Sequence, residues 1–96
     1  MLFGNKIKEL REEQGLLQRQ LATALGVDVP MFSKIERGDR RAKRKHVVIL
    51  AQELNADVQE LLSLWLADKI IDAIDDDSKV GLNALNVVCK ELSFQI

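Results

Sequence analysis

The chain has 96 residues, of which 47% are hydrophobic and 30% charged, as in one globular domain. This length leaves no room for a separate catalytic domain, and one proline, five glycines and few alternating apolar runs favour an all-α fold. The net charge of -1 is the sum of two unlike halves, because residues 1–46 carry +5 and residues 47–96 carry -6. Only the first half suits a polyanionic partner.

Three short helices are predicted in the basic half. Apolar side chains recur at helical spacing in the first helix, residues 3–14. The next two helices span residues 18–25 and 29–37, and each is followed by a glycine, which favours the left-handed turn that ends a helix. Asp28 precedes the third helix as an N-cap, and Pro30 in its first turn supports this start.

A basic segment, residues 38–45, follows with five Lys or Arg and no apolar periodicity, so we expect a loop there. A fourth helix is predicted over residues 47–55 and a fifth over residues 58–74. An acidic linker, residues 75–77, leads into a sixth helix at residues 79–92. The apolar stripe of this last helix comprises Leu82, Leu85, Cys89 and Leu92.

The fifth helix is apolar around more of its circumference than one core face requires. A second surface must therefore cover it, and a symmetric homodimer provides one. Trp65 suits a core as well as a subunit interface. The expected interface residues are Leu61, Leu64, Trp65, Ile70 and Ile71.

Residues 18–38 have the spacing of two helices that cross at a steep angle. Ala22 is small enough for the crossing, and Gly26 tolerates the positive φ that the turn requires. The outer face of the third helix then stays exposed and fits a DNA major groove, which is about 12 Å wide. Apolar anchors toward the core are expected at Leu21, Val27, Phe32 and Ile35.

The segment LREEQGLLQRQLATALGVDVPMFSKIERGDR, residues 10–40, resembles the helix-turn-helix of phage-repressor and Cro-like regulators, the XRE family. The resemblance implies a five-helix, lambda-repressor-like DNA-binding domain at residues 1–74. The acidic linker and the C-terminal helix, residues 75–96, lie outside the resemblance. It also implies a structural ion pair between Arg11 and Glu36, and a Gln18 that contacts phosphate and braces the third helix. The DNA-facing positions that it implies are Val29, Pro30, Met31, Ser33, Lys34 and Arg37.

Two departures from the family pattern change the expected recognition. Leu17 stands where Ser or Thr usually caps the second helix, so that hydrogen bond is lost or replaced. Val29 and Pro30 have no side-chain donor or acceptor, which limits them to apolar contacts such as thymine methyl groups. Specificity then depends on the later residues of the third helix and on DNA shape.

The basic segment suits phosphates rather than bases, because flexible cations bring charge without fixed donor geometry. Its expected DNA contacts are Arg40, Arg41, Lys43 and Arg44, with Lys45 beside them.

Other chemistry in the sequence is sparse. Cys89 is the single cysteine, which excludes an internal disulfide or a cysteine-based zinc site, and we expect it to be a small buried hydrophobe. His46 stands alone and is expected to pack or to contact a phosphate rather than bind metal. Without a catalytic set, cofactor motif, signal peptide or apolar span, the sequence predicts a cytoplasmic non-enzyme with no cofactor.

These inferences predict a homodimeric transcriptional regulator, a repressor or autoregulator, that binds a palindromic operator in double-stranded DNA. Two alternatives stay open. One is an antitoxin that neutralises a toxin partner and autoregulates its operon. The other is the controller of a restriction-modification system.

Overall fold

The computed structural model describes residues 1–95, and in this part of the chain every regular element is helical. The predicted all-α fold of five helices and an additional C-terminal helix is confirmed. Ile96, the last residue of the predicted C-terminal segment, lies outside the described residues. The helices are α1 (Leu2–Glu13), α2 (Gln18–Leu25), α3 (Val29–Arg37), α4 (Arg44–Glu53), α5 (Val58–Ile74) and α6 (Ser78–Gln95).

The loop in the basic segment is shorter than predicted. Helix α4 begins at Arg44 rather than Val47, so Arg44 and Lys45 belong to its first turn. This turn is polar and faces solvent, so apolar periodicity gives no sign of it. His46 Nδ1 accepts the backbone N–H of Lys43 at 3.4 Å, in place of a side-chain cap from Lys43 itself.

The core is built by α1 to α5. Helix α1 packs on α3 and α5, α2 packs on α3 and α4, and α4 packs on α5. The steep meeting of α2 and α3 is held by apolar anchors, as the spacing predicts, although Val27 is only partly buried. The largest fully buried side chains are Ile7, Leu21, Phe32, Val47, Leu50, Leu54 and Leu61.

The start of α1 is fixed by two features that sequence reasoning missed. The carboxylate of Asp68, buried on α5, accepts the backbone N–H groups of Leu2 at 2.9 Å and Phe3 at 3.0 Å. A carboxylate at this position caps the helix and complements its dipole. One turn into α1, a Cβ on Gly4 would lie 2.2 Å from the carbonyl oxygen of Glu36, so only glycine fits where α1 crosses α3.

Two residues predicted at the dimer interface lie in the core instead. Leu61 is 1% exposed and Trp65 is 8% exposed, because α4 and the basic segment cover this side of α5. The indole N–H of Trp65 donates to the carbonyl oxygen of Ala42 at 2.7 Å. Leu64 is partly buried, whereas Ile70 and Ile71 are exposed.

The predicted stripe on α6 is not buried within the chain. Cys89 is exposed, which corrects the prediction of a buried thiol, and Leu82 and Leu92 are 64% and 51% exposed. The reason is that α6 packs sparsely, with its recorded helix contacts on α5. None of the helices described is long and apolar enough to cross a membrane.

Candidate nucleic-acid interface

The turn between α2 and α3 is set by backbone conformation and caps. Gly26 ends α2 with φ of 72°, in the left-handed region that glycine tolerates. Asp28 Oδ1 accepts the N–H of Met31 at 2.8 Å, which confirms the predicted cap of α3. At the start of α2, Gln20 Oε1 accepts the N–H of Leu17 at 2.7 Å. The reciprocal half of a capping box is thus present, although Leu17 has no hydroxyl to accept the backbone N–H of Gln20.

A buried carboxylate joins the first three helices. Glu36 accepts Arg11 Nε at 2.7 Å and Arg11 Nη2 at 3.2 Å, the ion pair that the resemblance implied. Gln18 Nε2 donates to the same carboxylate at 2.9 Å, so Gln18 braces α3. Arg11 Nη1 also donates to the carbonyl oxygen of Leu16 at 3.0 Å.

The Arg11–Glu36 pair is largely removed from solvent, with side chains 13% and 3% exposed. Hydrogen bonding to Glu36 raises the pKa of the Arg11 guanidinium, so Arg11 keeps its charge in this half-buried site. Because α1, α2 and α3 all contribute to this cluster, it fixes the direction in which α3 projects.

The outer face of α3 presents the six positions predicted to meet DNA. Val29, Pro30, Lys34 and Arg37 are exposed there, and Met31 and Ser33 are partly exposed. The face begins apolar at the N-terminus of α3 and becomes cationic toward its end. Base contacts usually come from the first part of a recognition helix, so this order is unusual for direct hydrogen-bond readout.

Arg37 is held in place before any ligand binds. Its Nε donates to Asp39 Oδ2 at 3.0 Å, and its Nη1 donates to Ser33 Oγ at 3.1 Å. Both partners are themselves at the surface, so the ion pair contributes little to stability. Its effect is geometric, since it orients the guanidinium fork and leaves Nη2 for a base or a phosphate.

The basic segment lies directly beside α3. Its side chains Arg40, Lys43 and Lys45 help to line a groove of about 300 Å³ between the helix-turn-helix turn and the start of α4. Arg44 is exposed in the same first turn of α4. These cations form one basic surface next to the exposed face of α3.

Arg41 differs from its neighbours because its guanidinium pairs with Asp72 of α5. Its charge is therefore partly neutralised within the chain. The sequence offered no signal for this pairing, since the two residues are 31 positions apart.

His46 is buried at the edge of the groove, where it packs as expected of an isolated histidine. Burial lowers the pKa of His46, and the charges of Lys45 and Lys43 lower it further. The imidazole is thus neutral at pH 7 and adds no charge to the basic segment.

Comparison with known proteins agrees with this geometry. Residues 7–61, more than half of the chain, match the helix-turn-helix family. The propionyl-CoA carboxylase regulator of Cereibacter sphaeroides is 38% identical over 58 residues, which cover 60% of this chain but 13% of that protein. The uncharacterized HTH-type transcriptional regulator YazB of Bacillus subtilis is 33% identical over 60 residues, 62% of this chain and 87% of that protein. No solved structure gives a significant match.

Proposed function

The chain belongs to the XRE-type helix-turn-helix family of DNA-binding regulators, and from this premise we propose that it acts as a homodimeric repressor or autoregulator on a palindromic operator. It is a non-enzymatic protein whose ligand is double-stranded DNA. The observation that carries the proposal is the exposed face of α3, oriented by the buried Glu36 cluster, beside the basic segment, which Trp65 holds through the carbonyl oxygen of Ala42.

In the proposed complex α3 lies in the major groove. Val29 and Pro30 make apolar contacts with the bases, and Ser33, Lys34 and Arg37 supply the hydrogen bonds. Gln18 and the basic segment bind phosphates on either side. This division assigns most of the affinity to phosphate contacts and little of it to base contacts, so the affinity depends strongly on salt.

A two-fold symmetric dimer places two α3 helices about 34 Å apart, one turn of DNA. Two half-sites then compensate for the few base contacts that each copy makes. The exposed apolar residues Ile70 and Ile71 support such pairing, because surface of this kind on a soluble chain marks an interaction site.

Selection of bound duplexes from a random DNA pool tests the proposal. We expect enrichment of a palindrome with half-site centres about 10 base pairs apart. Lys34→Ala with Arg37→Ala should abolish the enrichment, whereas Lys8→Ala, at an exposed position on α1, should leave it unchanged.

Absence of any enriched sequence would contradict DNA recognition, and a non-palindromic winner would contradict the symmetric dimer. Copurification of a small toxin with the chain would instead favour the antitoxin alternative.

A further inference from the structure

We propose that the end of α5 and the outer faces of α6 form the surface on which two copies of this chain pair, so that two α5–α6 hairpins assemble a four-helix bundle. The inference rests on the proposed function and replaces the interface predicted from sequence. The pairing surface comprises Leu66, Ile70, Ile71, Val80, Leu82, Val87, Val88 and Leu92.

The size of the pairing surface matches a dimer interface. Its eight side chains are each between 41% and 67% exposed. Together they expose on the order of 800 Å², which is the area that one partner contributes to a standard interface. These side chains are concentrated on one hairpin, whereas the exposed apolar residues of a monomer are usually scattered singly.

The hairpin is fixed at its turn and open beyond it. Gly81 packs so closely on α5 that a Cβ there would lie 2.4 Å from Ile74 Cγ2. Past this contact an apolar groove of about 340 Å³ separates the two helices. An intramolecular core would close such a groove, whereas an apolar side chain from another helix can enter it. Its lining includes Ile70, Ala73, Val80, Ala84, Leu85 and Val88.

The pattern of α6 indicates that the occupant is a second copy. The apolar stripe of α6, called the seam below, has the three- and four-residue spacing by which helices pack together in coiled coils. Its residues are Leu82, Leu85, Cys89 and Leu92. None of the four seam residues is charged. In a two-fold symmetric pair, the apolar side chains of one seam therefore contact those of the other.

The charges at the two ends of α6 favour an antiparallel pair over a parallel one. The acidic linker and Lys79 lie at its start, and Lys90 and Glu91, whose charges cancel, lie near its end. Antiparallel pairing sets the acidic start of each copy beside the neutral end of the other, where Lys90 can approach the acidic linker. A parallel pair would instead set like charges together.

Sedimentation equilibrium of the full chain tests this proposal. We expect a dimer at micromolar concentration that becomes a monomer in Leu82→Glu with Val88→Glu, while the helical signal of α1–α5 persists. Val48→Glu is the matched control, because Val48 is 39% exposed on α4 and lies outside the pairing surface. A monomeric parent chain, or a double variant that stays dimeric, overturns the proposal, as does a chain that pairs only with a different protein.

Reactivity of the single thiol gives an independent measurement. Cys89 is exposed in one chain but lies in the seam, so pairing should slow its reaction with a thiol reagent at least tenfold relative to the double variant. Equal rates would contradict pairing at α6.

The DNA experiment separates this inference from the proposed function. On the duplex enriched by selection, the monomeric variant should bind about 100-fold more weakly through loss of the linked second half-site. A duplex carrying one half-site should bind the parent and the variant equally. Dimerisation without DNA binding would refute the proposed function alone, and a double variant that still binds the palindrome as a dimer would refute the inference alone.

Discussion

Residues 1–68 fold around a shared core, whereas residues 69–93 leave most of their apolar side chains in solvent. The last buried side chains of the core belong to Leu61, Trp65 and Asp68. After Asp68, Gly81 is the one buried residue among those whose exposure the structure describes. The first region therefore derives its stability from contacts within the chain, whereas the chain itself covers little of the second.

The contrast indicates that different contacts hold the two regions of the chain in place. The Glu36 cluster, the Asp68 cap and the Trp65 hydrogen bond all orient the DNA-facing elements within a single chain. No comparable polar contact fixes α6, whose described side-chain hydrogen bond, from Ser93, is to its own helix. The changes below should affect one region without the other.

Loss of the buried carboxylate should have the largest effect. Glu36→Ala leaves Arg11 and Gln18 without their acceptor, and removal of one partner of a buried ion pair costs about 3–5 kcal/mol. That is a large part of the roughly 5–15 kcal/mol by which domains are stable. Denaturant unfolding measures it, with Glu12→Ala on the exposed side of α1 as control. If the variant has the same free energy of unfolding as the parent chain, the Glu36 cluster does not hold α3 in place.

The next largest effect should be on the salt dependence of DNA binding, which should respond to changes in the first region and not in the second. If six phosphates are neutralised, log K falls with log salt at a slope of about -5. Arg40→Ala and Lys43→Ala should each flatten the slope by about 0.9, since each removes one phosphate contact. Lys79→Ala in the acidic region should leave it unchanged. Titration of the selected duplex between low and moderate salt measures the slope, and a nearly flat response would remove the basic segment from the interface.

A small gain is expected at the start of α2. Leu17→Ser restores a hydroxyl cap, which is worth about 1 kcal/mol, and little burial is lost because Leu17 is 51% exposed. The free energy of unfolding should rise by that amount. Leu82→Ser, another exposed leucine, should weaken association without stabilising the fold. Lower stability of Leu17→Ser would mean that the buried part of the Leu17 side chain contributes more than a hydroxyl cap.

The smallest effect should be a dependence on acid at His46. Its folded pKa lies below the unfolded value of about 6.5, so below that pH the unfolded chain binds more protons and stability falls. Above that pH the contribution is constant. Unfolding of the parent and His46→Gln at pH 7.5 and 5.5 measures it, and the variant should lose less stability on acidification. Equal losses would place His46 in contact with water.

Much of the fold could be predicted because capping residues and glycines lie where the helices begin and end. Asp28 and the glycines at positions 26 and 38 mark the limits of α2 and α3, and both helices have the predicted bounds. The start of α4 could not be predicted, since Lys43 is not a capping residue and its N–H is accepted by a side chain three residues on. Local sequence carries no sign of that exchange.

The candidate site was less predictable where distant residues meet. The Arg11–Glu36 pair followed from a family resemblance, but the pairing of Arg41 with Asp72 depends on how α5 lies over the basic segment. Asp68 gave a weak signal, as an acid inside an apolar run, without indicating that it caps α1. The exposure of Cys89 likewise depends on what covers α6, which a stripe alone does not reveal.

Helix α5 is continuous from the core through Asp68 to Ile74, so one rigid element carries both a reading domain and a surface for assembly. The two ends can therefore change independently during evolution. We expect substitutions on α3 to alter which DNA is selected, and substitutions on α6 to alter which chains associate. Related regulators in the same cell could thus diverge in their targets and still avoid mixed assemblies through changes in a single terminal helix.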